Sequence, residues 1–145
     1  TKSERVMFRE ALADFDMGLE DRMNTKVGLL SGGQRQVVTL LMATLVPPRL
    51  LLLDEHTAAL DPATAEKVME ITKRIVEREN LTTLMITHNV KSALETGDRT
   101  IMLDAGNIIF DIGKEERIGM TVEDLMKKYS NKKHEEFDND RAIFS

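Results

Sequence analysis

At 145 residues, 41% of them hydrophobic and 31% charged, the chain is long enough to bury one core and lies outside the compositions typical of disordered and membrane-spanning proteins. A formal net charge of −5, with no predicted helix face lined by Lys or Arg, leaves no electrostatic footprint for nucleic acid. The absence of cysteine excludes disulfides, thiolate metal sites and cysteine nucleophiles, and His56, His88 and His134 are too scattered to suggest zinc-ligand spacing.

Residues 4–15 place Val6, Met7, Leu12 and Phe15 among charges at roughly helical spacing, which predicts a first helix. Residues 18–27 are polar and read as a connection into Leu30-Ser31-Gly32-Gly33-Gln34. There, two glycines follow a serine directly before an apolar helix, so backbone N–H groups are left without partners at a helix N-terminus, an anion seat. Ser31 stands three residues before Gln34 and can form a capping box with it. The helix predicted over 34–45 is apolar around much of its circumference, which implies that it is mostly buried, and Pro47-Pro48 ends it. Its apolar run is too short to span a bilayer.

Leu50 to Leu53 form a continuous apolar run closed by Asp54-Glu55, the pattern of a strand buried on both faces of a parallel sheet. Asp61-Pro62 then opens a helix to about residue 79, with Val68, Ile71, Ile75 and Val76 on its apolar face. A second strand spans 82–87, and a short helix over 89–96 stops at Gly97. Strands over 100–103 and 108–112 flank Asp104-Ala105-Gly106-Asn107, which has hairpin chemistry. A last helix runs from Thr121 to Tyr129, and a charged, loosely held tail follows in which Phe137, Ile143 and Phe144 are candidates to dock. The alternation of strand and helix over 50–103 predicts an α/β fold with a largely parallel sheet and an antiparallel hairpin at its far end. Function is then expected where strand C-termini meet helix N-termini.

Asp54 and Glu55 leave the end of the leucine strand pointing in different directions, which suits two roles at a nucleotide site. One carboxylate can hold Mg²⁺ through water, while the other orients or deprotonates an attacking water. His88, just after the second strand, is placed to bond a phosphate oxygen. Each residue also has a plain structural reading: a serine cap, solvated strand-end carboxylates, a helix-capping Asp61, a strand-end histidine.

Taken in order, Leu30 to Gln34, Leu50 to Glu55, Ala58 to Asp61 and His88 resemble the signature motif, the Walker B strand with its catalytic glutamate, the D-loop and the switch histidine of ABC-type ATPases. The resemblance covers residues 1 to about 112 and identifies the C-terminal portion of a P-loop ATPase domain. It implies a helical signature subdomain over 1–47, a partial ATPase core over 48–130 and a charged tail over 131–145. By the same resemblance, Glu55 and His88 are catalytic, Ser31, Gly32, Gly33, Gln34 and Asp61 bind nucleotide, and Asp54 serves Mg²⁺. ATP and Mg²⁺ are the implied cofactors. The implied partners are a second ATPase subunit paired head to tail, a membrane permease and a solute-binding protein, at the cytoplasmic face of the cell membrane. Among such ATPases the sequence looks most like those of bacterial amino-acid-type importers linked to aromatic amino acids.

Two departures qualify this picture. No stretch of the 145 residues matches G-x-x-x-x-G-K-[ST], the Walker A loop that supplies most of the affinity for ATP in such enzymes. The chain opens on Thr1, so that loop is expected upstream, in an intact protein that hydrolyses ATP; the 145 residues alone are expected to be inactive, with exposed strand edges prone to swapping or self-association. His56 stands where most of the family has proline. The competing readings are a non-transport ABC ATPase, disfavoured by the lack of sustained heptads in residues 4–15 and by the acidic charge, and a regulatory half-domain that binds without catalysis.

Overall fold

The computed structural model describes the backbone of residues 1–143 and the side chains of residues 1–132. Two compact units make up the chain, the first Thr1–Ile86 and the second beginning at Thr87.

In the first unit, α1 (Lys2–Ala13) starts from Thr1, which caps the Glu4 amide. Val6 and Met7 are exposed, so this helix is held at its far end, where Leu12 packs against the core and Phe15, just past the helix, is buried. A single 3₁₀ turn at Val27–Leu29 leads into α2 (Gly32–Thr44). Here the expectation of general burial gives way. Val37, Leu40 and Thr44 are buried, whereas Met42 is 74% exposed and Val46, beyond the helix, is 81% exposed, because α2 packs along one stripe only.

β1 (Leu51–Asp54) and β2 (Thr83–Ile86) pair in parallel, Leu51 with Thr83 through to Asp54 with Ile86. They are joined by α3 (Pro62–Arg78), which starts where the Asp61-Pro62 signal places it, with Asp61 Oδ1 accepting the Thr64 amide at 3.1 Å. Val68, Ile71 and Ile75 of α3 share one core with Leu51 and Leu53 of β1 and Val37 and Leu40 of α2. The leucine strand is therefore buried on one face, not on both. Leu52 is 64% exposed, and Leu84 and Ile86 share its face. Side chains alternate along a strand, and the helices of this unit gather on the side of Leu51 and Leu53.

In the second unit, α4 (Val90–Glu95) is capped by Asn89, whose Oδ1 accepts the Ser92 amide at 3.0 Å, and Gly97 follows it at φ +71°. β3 (Arg99–Asp104) and β4 (Asn107–Gly113) form the expected antiparallel hairpin. Ala105 and Gly106 both have positive φ, as a tight two-residue turn demands. Among the described residues the four strands make two two-stranded sheets, the parallel β1–β2 pair and the antiparallel β3–β4 pair. A short α5 (Lys114–Arg117), absent from the sequence reading, positions Arg117 so that its guanidinium donates to the carbonyls of Ala93, Leu94, Thr96 and Gly97. This satisfies the open C-terminal end of α4 with a cation, the favoured sign there.

α6 (Val122–Ile143) begins at Thr121, whose hydroxyl accepts the Asp124 amide. It continues well past Tyr129, since no glycine or proline interrupts the charged helix formers that follow. The Tyr129 hydroxyl donates to Asp104 Oδ2 at 3.1 Å, and Lys132 donates to the Ile109 carbonyl while lying 5.7 Å from the Phe110 ring centroid. The expected docking of Phe137, Ile143 and Phe144 lies outside the described residues.

Candidate nucleotide site

The start of α2 is built as its residue types require. The Gln34 amide N–H donates to Ser31 Oγ at 3.2 Å and the Ser31 N–H donates to Gln34 Oε1 at 3.0 Å, so the capping box is complete. Gln34 Nε2 donates in turn to the Met17 carbonyl at 2.9 Å. Both ends of this side-chain amide are thus used in holding the helix entry, which gives Gln34 a structural task whatever else it contacts. The first-turn amides of Gly32 and Gly33 have no preceding helical carbonyl to bond. They are the groups that fit an anion, with the positive end of the α2 dipole behind them.

The two glycines also have a steric role that the sequence did not reveal. A Cβ on Gly33 would lie 2.3 Å from Thr64 Cγ2 and 3.3 Å from Met17 Cε, and one on Gly32 would lie 3.0 Å from Leu60 Cδ2. The start of α2 therefore sits directly on the segment from Leu60 to Thr64. This brings Ser31, Gly32 and Gly33 together with Asp61 within one unit. Asp61 is exposed, and hydrogen bonds from Thr64, from its side chain first and its amide second, hold the Asp61 carboxyl below the usual carboxylate range.

Asp54 ends β1 and is exposed; Glu55 follows, half-buried. The Glu55 N–H donates to the Ile86 carbonyl at 3.0 Å, extending the β1–β2 ladder by one bond. Its φ of +48° lies in the left-handed region, uncommon for a residue with a side chain and characteristic of constrained sites. No group of three or more acidic, His or Cys side chains that could hold a metal occurs among the described residues. Asp54, the residue expected to serve Mg²⁺, is of a type that fits it, since Mg²⁺ keeps several waters and takes much of its coordination from phosphates, so that one carboxylate is enough. His88 is the second residue of the second unit. It is exposed and stands directly before Asn89, whose N–H donates to Thr87 Oγ1 at 3.1 Å.

Sequence reasoning found no partner for His56. Its Nε2 lies 3.1 Å from Thr72 Oγ1 on α3. The one available signal was a hydroxyl residue, Thr72, set among Val68, Ile71 and Ile75 on an otherwise apolar helix face. Burial pushes the His56 imidazole below its ordinary value of 6.5. The unfolded chain then binds the proton more readily, so this contribution to stability is complete above pH 6.5 and is lost as pH falls through the lower folded value. In melts between pH 7 and pH 5, wild type is expected to lose more stability than His56→Gln. Parallel slopes would contradict the assignment. The carboxylates held low by partners, Asp16 beside Lys67 among them, act below this window.

Residues 2–58 match the ABC transporter family. The chain is 48% identical over 118 residues to a tyrosine transport ATP-binding protein of Clostridioides difficile (strain R20291), covering 81% of this chain and 47% of that protein. It is 36% identical over 136 residues to the phosphonates import ATP-binding protein PhnC of Lactobacillus johnsonii, covering 94% and 53%. The chain therefore spans about half the length of these relatives. Among solved structures, an ABC transporter in an inward-facing conformation aligns with a TM-score of 0.67 at 25% identity over 84% of this chain and 48% of that one. A nucleotide-free ATP-binding cassette from an ABC transporter aligns with a TM-score of 0.62 at 26% identity, covering 80% of this chain and 45% of that one. With the ordered motifs, the glycine-packed start of α2 and these relatives in agreement, the chain belongs to the ABC transporter ATP-binding family.

Proposed function

We propose that these residues form the hydrolytic and signature portion of the ATP-binding subunit of an importer. The observation that carries this reading is the packing of Gly32 and Gly33 onto the segment from Leu60 to Thr64, which ties the α2 anion seat to the loop that Asp54 and Glu55 open. In this reading Asp54 holds Mg²⁺ through water, and Mg²⁺ neutralises charge on the phosphates when bound. Glu55 accepts the proton of the attacking water, and His88 donates to a phosphate oxygen. Ser31, Gly32, Gly33, Gln34 and Asp61 face the nucleotide of a second copy arranged head to tail, while Gln34 also holds the entry of α2. Such a subunit acts at the cytoplasmic face of a membrane beneath a permease fed by a solute-binding protein. No helix among the described residues is long and apolar enough to cross a membrane. Likeness to the tyrosine transport protein favours an aromatic amino acid as cargo.

The test is Mg²⁺-dependent ATP turnover by the full-length protein, together with uptake of labelled tyrosine when it is reconstituted with its permease. Asp54→Asn is expected to raise the Mg²⁺ needed for half-maximal turnover by about 10–100-fold. An unchanged Mg²⁺ requirement removes Asp54 from its role, and turnover without tyrosine uptake removes the cargo assignment.

A further inference from the structure

The loop from β1 to α3 is fastened immediately after Glu55. Glu55 holds its left-handed backbone between two main-chain bonds, from its own N–H to the Ile86 carbonyl and from the Ala58 N–H to its carbonyl, each 3.0 Å. Neither bond holds residue 56. That task falls to the imidazole, which reaches Thr72, sixteen positions along the chain and 3% exposed. The Thr72 hydroxyl donates to the Val68 carbonyl at 2.8 Å, so its proton is committed and its oxygen can only accept. His56 must therefore be the tautomer that carries its proton on Nε2. The anchor lies on the buried face of α3 beside Ile71 and Ile75, which ties the loop to the core of its unit.

We propose that His56 is a positioning residue, whose hydrogen bond to Thr72 clamps the loop against α3 and so keeps Glu55 in the left-handed conformation from which it acts as base. This rests on the reading of Glu55 given above. His56 touches no reacting atom in this scheme; it acts through the peptide that joins it to Glu55.

The experiment measures kcat and KM for MgATP in the full-length protein, with thermal melting alongside, for His56→Ala, Thr72→Val, Thr72→Ser and the His56→Ala/Thr72→Val double variant. His56→Ala is also made in a Glu55→Gln background. His56→Ala and Thr72→Val are each expected to lower kcat about 10–100-fold, as misplacement of a reacting group does, with KM within about twofold of wild type. The double variant is expected to fall no further than the singles, Thr72→Ser to keep the wild-type rate, and His56→Ala to add nothing once Glu55 is Gln. A wild-type kcat in folded Thr72→Val overturns the proposal, as does a further loss from His56→Ala in the Glu55→Gln background. A wild-type kcat in Glu55→Gln itself overturns the base assignment instead. If His56→Ala melts too low to assay, Thr72→Val, which keeps the side-chain shape and removes only the acceptor, decides the matter.

Discussion

Replacing Glu55 by Gln in the full-length protein is expected to lower single-turnover ATP hydrolysis by about 10²–10⁴-fold, the contribution of a well-placed general base. The substitution suits the question because it preserves size and polarity and removes only the capacity to take a proton. The backbone around it has no reason to change: the bond to Ile86 uses the main-chain N–H, and Gln meets the same left-handed φ that Glu already tolerates. ATP binding should therefore persist while turnover falls, which separates this variant from Asp54→Asn, where the requirement for Mg²⁺ moves. Rapid-quench measurement with enzyme in excess reads the chemical step directly. A rate near wild type would leave Glu55 as an ordinary strand-end carboxylate.

Gly33→Ala is expected to destabilise the 145-residue chain by about 1–3 kcal/mol in urea unfolding, the usual cost of overfilling a packed site. Two effects oppose each other. Alanine in a helix is favoured over glycine by about 0.5–1 kcal/mol. Against that, the added methyl would stand 2.3 Å from Thr64 Cγ2, so α2 and α3 must separate or Thr64 must leave its rotamer, and the steric term wins. The double variant Gly33→Ala/Thr64→Ser removes the obstructing methyl, retains the hydroxyl, and should recover most of the loss. Stability equal to wild type in the single variant would contradict the close approach. The pair has a further use. In the full-length protein, a loss of ATP turnover in Gly33→Ala alone invites the conclusion that a phosphate contact was broken, whereas recovery in the double variant would assign the loss to packing between α2 and α3.

The elements easiest to read from sequence were those with local chemistry at their ends. Asp61-Pro62 marked the start of α3, Ser31 and Gln34 the start of α2, and the Ala105-Gly106 turn the β3–β4 hairpin, because a cap or turn is decided by residues a few positions apart. Burial was harder to read, since it depends on what covers a surface. Four consecutive leucines look alike to hydropathy, yet Leu51 and Leu53 are buried while Leu50 and Leu52 are exposed. The same limit applied to α2, where Met42 and Val37 are both apolar yet have opposite environments. At the candidate site, the residue types and their order were legible. The clearance that makes Gly33 obligatory and the reach of His56 to Thr72 were not, because each joins positions far apart in the chain with no pattern of its own.

The parallel pairing of β1 with β2 also constrains how the first unit assembles. Its two strands are four residues each, and Leu51 meets Thr83 only after the whole of the intervening 17-residue helix has turned the chain back. Closing so long a loop costs entropy before any ladder bond can offset it, whereas α3, with its own cap and proline start, organises locally. The transition state for folding should therefore already contain α3 docked on α2, with the strand ladder forming on the downhill side. On that route the loop bearing Asp54, Glu55 and His56 is among the last parts of the unit to take shape, and its geometry is inherited from helices already in place.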